Sequence, residues 1–589
     1  MLRALLCYLA GALLPLAAPL QAAPAIPATT GAATTQLVTT KPAPDPAREL
    51  VVRNGKIIDG TGNAWFYADV LVRGGRIVEV SERVAAKPGA LQINAVGLVV
   101  APGFIDVHTH ADRGVLESPL AENFVRDGVT TLVTGNCGAS VRDVGDYFDQ
   151  IRRRGAAVNV ATLIGHNQIL ETVKGGGAAP LTPEQLERGR QIVRQAMTDG
   201  AAGMSTGLIY RPGMYSPPEE IIELQKVAAE FGGIYATHMR SEGSEILAAI
   251  DEALRVGRDA GCRVQISHFK LPADIAARIG GADTTLGKVL AAREKGQEVW
   301  VDQYPYTASS TSITTLLPDW VYDQGNAEAL RRLHDPQQVE KMLADMRQNY
   351  EVKRQRKSLA YVVIGSYTAE PKLAGRNLYE IAQLFKLRAS AGDGGETELL
   401  AVNPPKLPDV SMEDQYRAAI EITRNGGASC VFHTMEEREV EQILAHPLVA
   451  VASDSGIRAF GSGHPHPRGY GTNARVLGRY VRERRLIALE EAVRKMTSLP
   501  ATAFRFGNRG LIRPGYAADL TIFDAGTVID QATFEKPHAY PLGIRYVVVN
   551  GYPVLADGEM TGLLPGEPLP GPGFKPAGAP AADAGRSTR

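Results

Sequence analysis

Through the middle of the chain, short apolar runs that stop at a polar or metal-binding side chain alternate with stretches of helical periodicity. Strand-like runs end at His108, Asn136, His166, Ser205, His238, His268, Tyr304 and Asp454. Between them, segments such as 218–231 and 245–260 carry apolar residues at helical spacing. Apolar runs without alternation belong to strands buried on both faces, and strands that alternate with helices build a parallel sheet. Eight such units make a (β/α)₈ barrel, an α/β fold of the TIM type. The interval 307–447 breaks the rhythm, carries a charged helical stretch over 326–354, and reads as an insertion. Two more strand-like runs, at 361–365 and 429–433, compete for a place in the strand count.

Both ends have another texture. Residues 49–100 alternate apolar and polar side chains between glycine turns, and the pattern returns at 519–523 and 545–551. This predicts a small β-sandwich domain assembled from residues 48–101 and 509–560, flanking a barrel over 102–508. Arg3, the apolar stretch 4–20 and the small residues after it predict a signal peptide over 1–23. The expected location is periplasmic or secreted, with no stable membrane insertion after cleavage. Residues 24–47, rich in Ala, Pro and Thr, are expected to be a disordered linker, and 565–589 a disordered tail. A net charge of -1 with scattered Lys and Arg argues against a nucleic-acid partner. Loss of Cys7 with the leader would leave Cys137, Cys262 and Cys430, a poor disulfide framework for an exported protein.

Chemistry gathers at the strand ends, the edge where barrel enzymes place reactive groups. In Gly103-Phe104-Ile105-Asp106-Val107-His108-Thr109-His110, two histidines at i and i+2 on a strand point the same way and can grip one metal. His238 and His268 each close an apolar run. A single such histidine is more often packed core than ligand; four at strand ends reverse that weighting. Asp454 ends the run 449–453, where a carboxylate can touch a metal and act as general base toward water. Cys137, after the second strand, would supply an anionic thiolate ligand beside the neutral imidazoles. The fourth strand segment, 201–208, contains no Lys to serve as a carboxylated bridge, which favours Cys137 further.

These pieces resemble the amidohydrolase superfamily, and within it the N-acyl-D-amino-acid deacylases (D-aminoacylases). The matching motifs are Val107-His108-Thr109-His110-Ala111-Asp112, Gly135-Asn136-Cys137-Gly138, Ser205-Thr206-Gly207-Leu208-Ile209-Tyr210 and Ser267-His268-Phe269-Lys270. The stretch 304–311 and His464-Pro465-His466-Pro467-Arg468 complete the set. One departure is Ser455, which stands between Asp454 and Gly456.

The resemblance implies Zn²⁺ held tightly by Cys137, His238 and His268, with a second, weaker site at His108, His110 and Asp454. It also implies that Lys270, Tyr304 and Arg468 bind a substrate α-carboxylate while Tyr210 and Ser310 line the same pocket. Arg468 offers a bidentate fork for that carboxylate, and Lys270 adds charge beside the metal. The implied reaction is zinc-dependent hydrolysis of N-acyl-D-amino acids to a carboxylate and a free D-amino acid, with Asp454 as base and then acid. His166 and His433 are expected to support the site, and His334, His446 and His538 to be structural. The rival expectations are a cyclic-amide hydrolase or dipeptidase with the same metal set, and a secreted binding protein without catalysis.

Overall fold

Eight short parallel strands carry the site. The computed structural model describes residues 37–391 and 407–575, and every described strand and helix belongs to the unit that begins at Thr39. The expected signal peptide lies outside the described residues.

Phe104–Asp106, Val129–Thr134 and Asn159–Thr162 pair in parallel as one arc. Ile164–Gly165, Gly203–Gly207, Ile234–His238, Val264–Ile266, Val299–Gln303 and Val449–Val451 form the other. The arcs join through Leu163, the one residue between Thr162 and Ile164, so that 159–165 counts as one strand and the nine ranges make eight. At their far ends Thr109 and Ser455 form a parallel bridge, and Asp454 N–H donates to the His108 carbonyl at 2.9 Å. The fold is the (β/α)₈ barrel. The strand-like runs at 361–365 and 429–433 lie elsewhere, which settles the count.

Side-chain alternation along the strands feeds two cores. In Ile234–His238, Tyr235 packs with the surrounding helices, whereas Ile234 and Ala236 join Ile105, Val133, Trp300 and Leu499. The strands Val129–Thr134, Gly203–Gly207 and Val299–Gln303 are buried along their whole length, as expected of a sheet covered on both faces. Local chemistry sets the helices between them. Pro183–Asp199 starts at a capping box made by Thr182 and Gln185 and stops at Gly200, which adopts φ 111°. The expected helix at 218–231 spans Pro218–Glu230, and that at 245–260 spans Ile246–Ala260.

The two chain ends meet in one sheet. Leu520–Phe523 pairs antiparallel with Val99–Pro102 and so joins the C-terminal strands to those of residues 49–81. The small β-domain is hydrogen-bonded as one continuous sheet of nine strands, and Leu50, Val70, Ile77, Leu520 and Val548 share one core within it. The insertion has its own core. Val362–Ser366, Ser429–Phe432 and Ser309–Ser312 form a three-stranded antiparallel sheet packed against helices that include Met412–Arg424. The charged stretch 326–354 is broken at Asp335, which caps a second helix beginning at Pro336.

The expectation of a disordered tail from 565 fails for its first part. Gly566, Leu569 and Gly571 donate backbone hydrogen bonds to Ala156, Val160 and Gly200, and Pro568 bridges Val160. Composition misled here, because Gly and Pro suit an extended strap whose backbone lies directly on other backbone. A Cβ on Gly566 would fall 2.0 Å from the Val158 carbonyl oxygen. Within the expected linker, Thr40 likewise exchanges hydrogen bonds with Gly562 and Leu564. Residues 24–36 and 576–589 lie outside the described residues. Among the described residues no helix is long and apolar enough to cross a membrane.

Candidate metal centre

The turns after three of the strands re-aim their side chains over the barrel mouth. Cys137, His268 and Asp454 all adopt left-handed backbone, with φ of 54°, 34° and 52°. Such a conformation costs a non-glycine residue about 1–3 kcal/mol and concentrates at functional sites. Ser205, on the strand lacking a lysine, instead accepts the Gly138 N–H at 3.0 Å and pins the Cys137 turn.

The six expected ligands come together. His108, His110 and Cys137 form one group of donors, Cys137, His238 and His268 a second, and His108, His268 and Asp454 a third; within each, the donor atoms lie within 4.8 Å of one another. Cys137 Sγ is 3.2 Å from His108 Nε2 and 3.6 Å from His268 Nε2, and the latter is 2.7 Å from His238 Nδ1. Asp454 Oδ1 is 3.0 Å from His110 Nε2 and 3.5 Å from His108 Nε2. All but His110 are buried. Imidazole nitrogen with one thiolate is a donor set suited to zinc.

The electrostatics match a cation. Burial would raise the Cys137 thiol, but the His108 charge and hydrogen bonds from His108, His110 and His238 hold it well below the ordinary cysteine range. The packed groups around the inner edge of His110 oppose its charge too, although 37% of the side chain is exposed, yet hydrogen bonds to Asp454 and Cys137 push it up to about 9. His108 is likewise raised against burial by Cys137, Asp302 and Asp454. Thiolate and carboxylates thus draw positive charge into a buried cluster. A metal ion would meet the same demand while the imidazoles stay neutral.

The expected carboxylate-binding groups flank this cluster. Arg468 Nη1 is 2.9 Å from Asp454 Oδ2, and its Nη2 donates to the Ser310 carbonyl at 3.5 Å. The Tyr304 ring lies under both Arg468 and Lys270, at 4.5 and 5.9 Å. Its buried hydroxyl has no hydrogen-bond partner among the described residues. Tyr210 packs edge-on against His238 and meets Thr311 through its hydroxyl at 3.1 Å. Ser310 sits on an edge strand of the insertion, which brings the insertion up against Arg468.

Sequence reasoning missed two carboxylates. Asp302 Oδ1 lies 3.2 Å from His108 Nδ1 and accepts the His268 backbone N–H at 2.7 Å. Glu242 meets the outer faces of His238, His268 and Lys270. Asp302 lies on the strand Val299–Gln303, two positions before Tyr304 at its end, and that spacing offered a signal. Glu242 lies in a loop and offered none. His466 is also structural to the site: its Nε2 donates to the Ala308 carbonyl at 2.9 Å and its Nδ1 accepts from Arg468 N at 3.0 Å. His166 is buried without a hydrogen bond among the described residues, and burial pushes it down to about 3. His433 packs its ring on Phe534, which also touches His466.

The chain matches the amidohydrolase family over residues 92–344 and 411–555. It is 34% identical over 548 residues to the D-aminoacylase of Alcaligenes xylosoxydans xylosoxydans, covering 88% of this chain and 97% of that protein. Identity to the N-acyl-D-aspartate deacylase of the same organism is 33% over 553 residues, covering 89% and 96%. The crystal structure of the N-acyl-D-glutamate deacylase from Bordetella bronchiseptica, complexed with zinc and a phosphonate inhibitor, superposes with a TM-score of 0.71 at 32% identity, covering 89% of this chain and 100% of that one. The chain belongs to the amidohydrolase family, on its N-acyl-D-amino-acid deacylase (D-aminoacylase) branch.

Proposed function

We propose that the protein hydrolyses the amide bond of N-acyl-D-amino acids, releasing a carboxylate and a free D-amino acid. One observation carries this reading: Asp454 stands between the histidine–cysteine cluster and Arg468, so the base faces metal donors on one side and a carboxylate-binding cation on the other. Cys137, His238 and His268 would hold the tighter zinc, and His108, His110 and Asp454 a second, weaker one. Bound zinc supplies Lewis-acid polarisation of the amide carbonyl and lowers the pKa of a nearby water.

The chain's own groups do the rest. Asp454 takes the proton of the attacking water and delivers it to the leaving nitrogen as the C–N bond breaks. Arg468, Lys270 and the Tyr304 hydroxyl grip the substrate α-carboxylate and fix which face of the stereocentre meets Asp454. Tyr210 and Ser310 close the pocket around them. Export belongs to the same reading and rests on Arg3 and the apolar stretch 4–20.

A chiral assay tests this function. N-acetyl-D- and N-acetyl-L-amino acids are offered side by side, and release of the free amino acid is followed. Turnover of the D-series alone is expected; equal turnover, or turnover of the L-series alone, would sink it. Turnover confined to hydantoins or dipeptides would point to a cyclic-amide hydrolase or a dipeptidase.

A further inference from the structure

Glu242 stands behind the cluster, in the loop after Ile234–His238, with its side chain 17% exposed. One of its oxygens, Oε1, lies 3.0 Å from His268 Nδ1. The other, Oε2, lies 3.6 Å from His238 Nε2, a buried nitrogen with no hydrogen-bond partner of its own among the described residues. Lys270 Nζ closes on the same carboxylate and also lies 3.0 Å from His268 Nδ1. The opposite ring nitrogens, His238 Nδ1 and His268 Nε2, face each other at 2.7 Å beside Cys137 Sγ.

An imidazole that gives a lone pair to a metal carries its proton on the other nitrogen. The group that accepts that proton decides which nitrogen becomes the ligand. An ionised carboxylate only accepts, on both oxygens. Glu242, the one carboxylate in this group, therefore favours Nε2–H on His238 and Nδ1–H on His268 together, and by accepting from Lys270 it keeps that ammonium from donating to Nδ1 and selecting the opposite tautomer. His108 is served separately, by Asp302.

We propose that Glu242 is a positioning residue that fixes the tautomers of both His238 and His268, so that one carboxylate prepares two donors of the tight zinc site and anchors Lys270 beside them. The proposal rests on the zinc reading given above. It couples metal site and substrate site through a single side chain, since Lys270 is one of the two cations assigned to the substrate carboxylate.

Glutamine separates this role from simple packing. Glu242→Gln keeps size and shape but offers one acceptor oxygen; its NH₂ faces the second imidazole as a donor and favours the wrong tautomer there. If Glu242 merely fills space, glutamine is harmless. If it selects tautomers, glutamine is nearly as damaging as alanine. The measurement is the zinc dissociation constant by chelator competition on the full-length wild type, Glu242→Gln, Glu242→Ala and Glu242→Asp, with the melting temperature of each metal-free form.

Zinc affinity is expected to fall about 10–100-fold in the Gln and Ala variants and less in Asp. The metal-free melting temperature of the Gln variant should not drop, and its KM for N-acyl-D-amino acids should rise as Lys270 loses its anchor. Wild-type zinc affinity in Glu242→Gln, or a loss of zinc that only tracks a lower metal-free melting temperature, overturns the proposal. A wild type that takes up no zinc overturns the zinc reading itself, and this proposal with it.

Discussion

Arg468 and Asp454 form a buried ion pair, with Nη1 and Oδ2 2.9 Å apart and both side chains under a tenth exposed. The proposed base is thus held by the same cation that is assigned to the substrate. Burial pushes the Asp454 carboxyl up, but Arg468, His108 and His268 together hold it well below the usual carboxylate range. A depressed pKa keeps the base ionised as pH falls.

Removing Arg468 therefore has two effects. Arg468→Ala raises the Asp454 pKa, so the acid limb of kcat/KM moves to higher pH, and it deletes the carboxylate fork, so KM rises. A hydrogen bond to a charged group contributes about 1.5–3 kcal/mol, so kcat/KM should fall roughly 10–100-fold. A pH–rate profile of wild type and variant reads both; an unmoved acid limb would separate Arg468 from the base.

Cys137 should behave as a thiolate when metal is absent. Burial raises Cys262 and Cys430 to about 11 and about 12, whereas Cys137 is held low by its histidines. In metal-free protein near neutral pH, iodoacetamide should label Cys137 ahead of the other two, and added zinc should protect it. Peptide mapping after labelling checks this. Cys137→Ala should lose zinc, and undiminished zinc content would remove Cys137 from the ligand set.

Asp302 is expected to matter without touching substrate. It takes His108 Nδ1 at 3.2 Å and the His268 N–H at 2.7 Å. Asp302→Asn puts an amide donor where an acceptor is needed, and should lower metal affinity or kcat about 10–100-fold. Metal analysis together with steady-state kinetics decides; wild-type values in both would refute the role.

The C-terminal strap should contribute to stability. Gly566 lies so close to the Val158 carbonyl that any side chain must displace the strap. Gly566→Val should cost about 1–3 kcal/mol, and truncation after Thr561, which removes buried Leu564, should cost more. Thermal denaturation measures both, and an unchanged melting temperature would mean the strap is dispensable.

The site was legible because barrel topology turns strand ends into one surface. Residues far apart in sequence, such as His108 and Asp454, each ended an apolar run, and the fold had to bring them together. Glu242 escaped notice because a loop carboxylate has no periodicity to mark it. The strap at 562–575 escaped because backbone docking leaves no apolar pattern. The insertion's strands looked like barrel strands because Val362–Ser366 and Ser429–Phe432 are as apolar as their neighbours; only pairing partners distinguish them.

The central claim is a zinc centre that works through Asp454 on an N-acyl-D-amino acid. Its most direct test strips the protein of metal, titrates zinc back, and follows free D-amino acid released from an N-acetyl-D substrate by wild type and Asp454→Asn in parallel. Wild-type activity should return at about one equivalent of zinc, set by the tighter site, while Asp454→Asn keeps zinc at Cys137, His238 and His268 yet releases almost no product. Turnover by the stripped protein, or undiminished turnover by Asp454→Asn, would contradict the account.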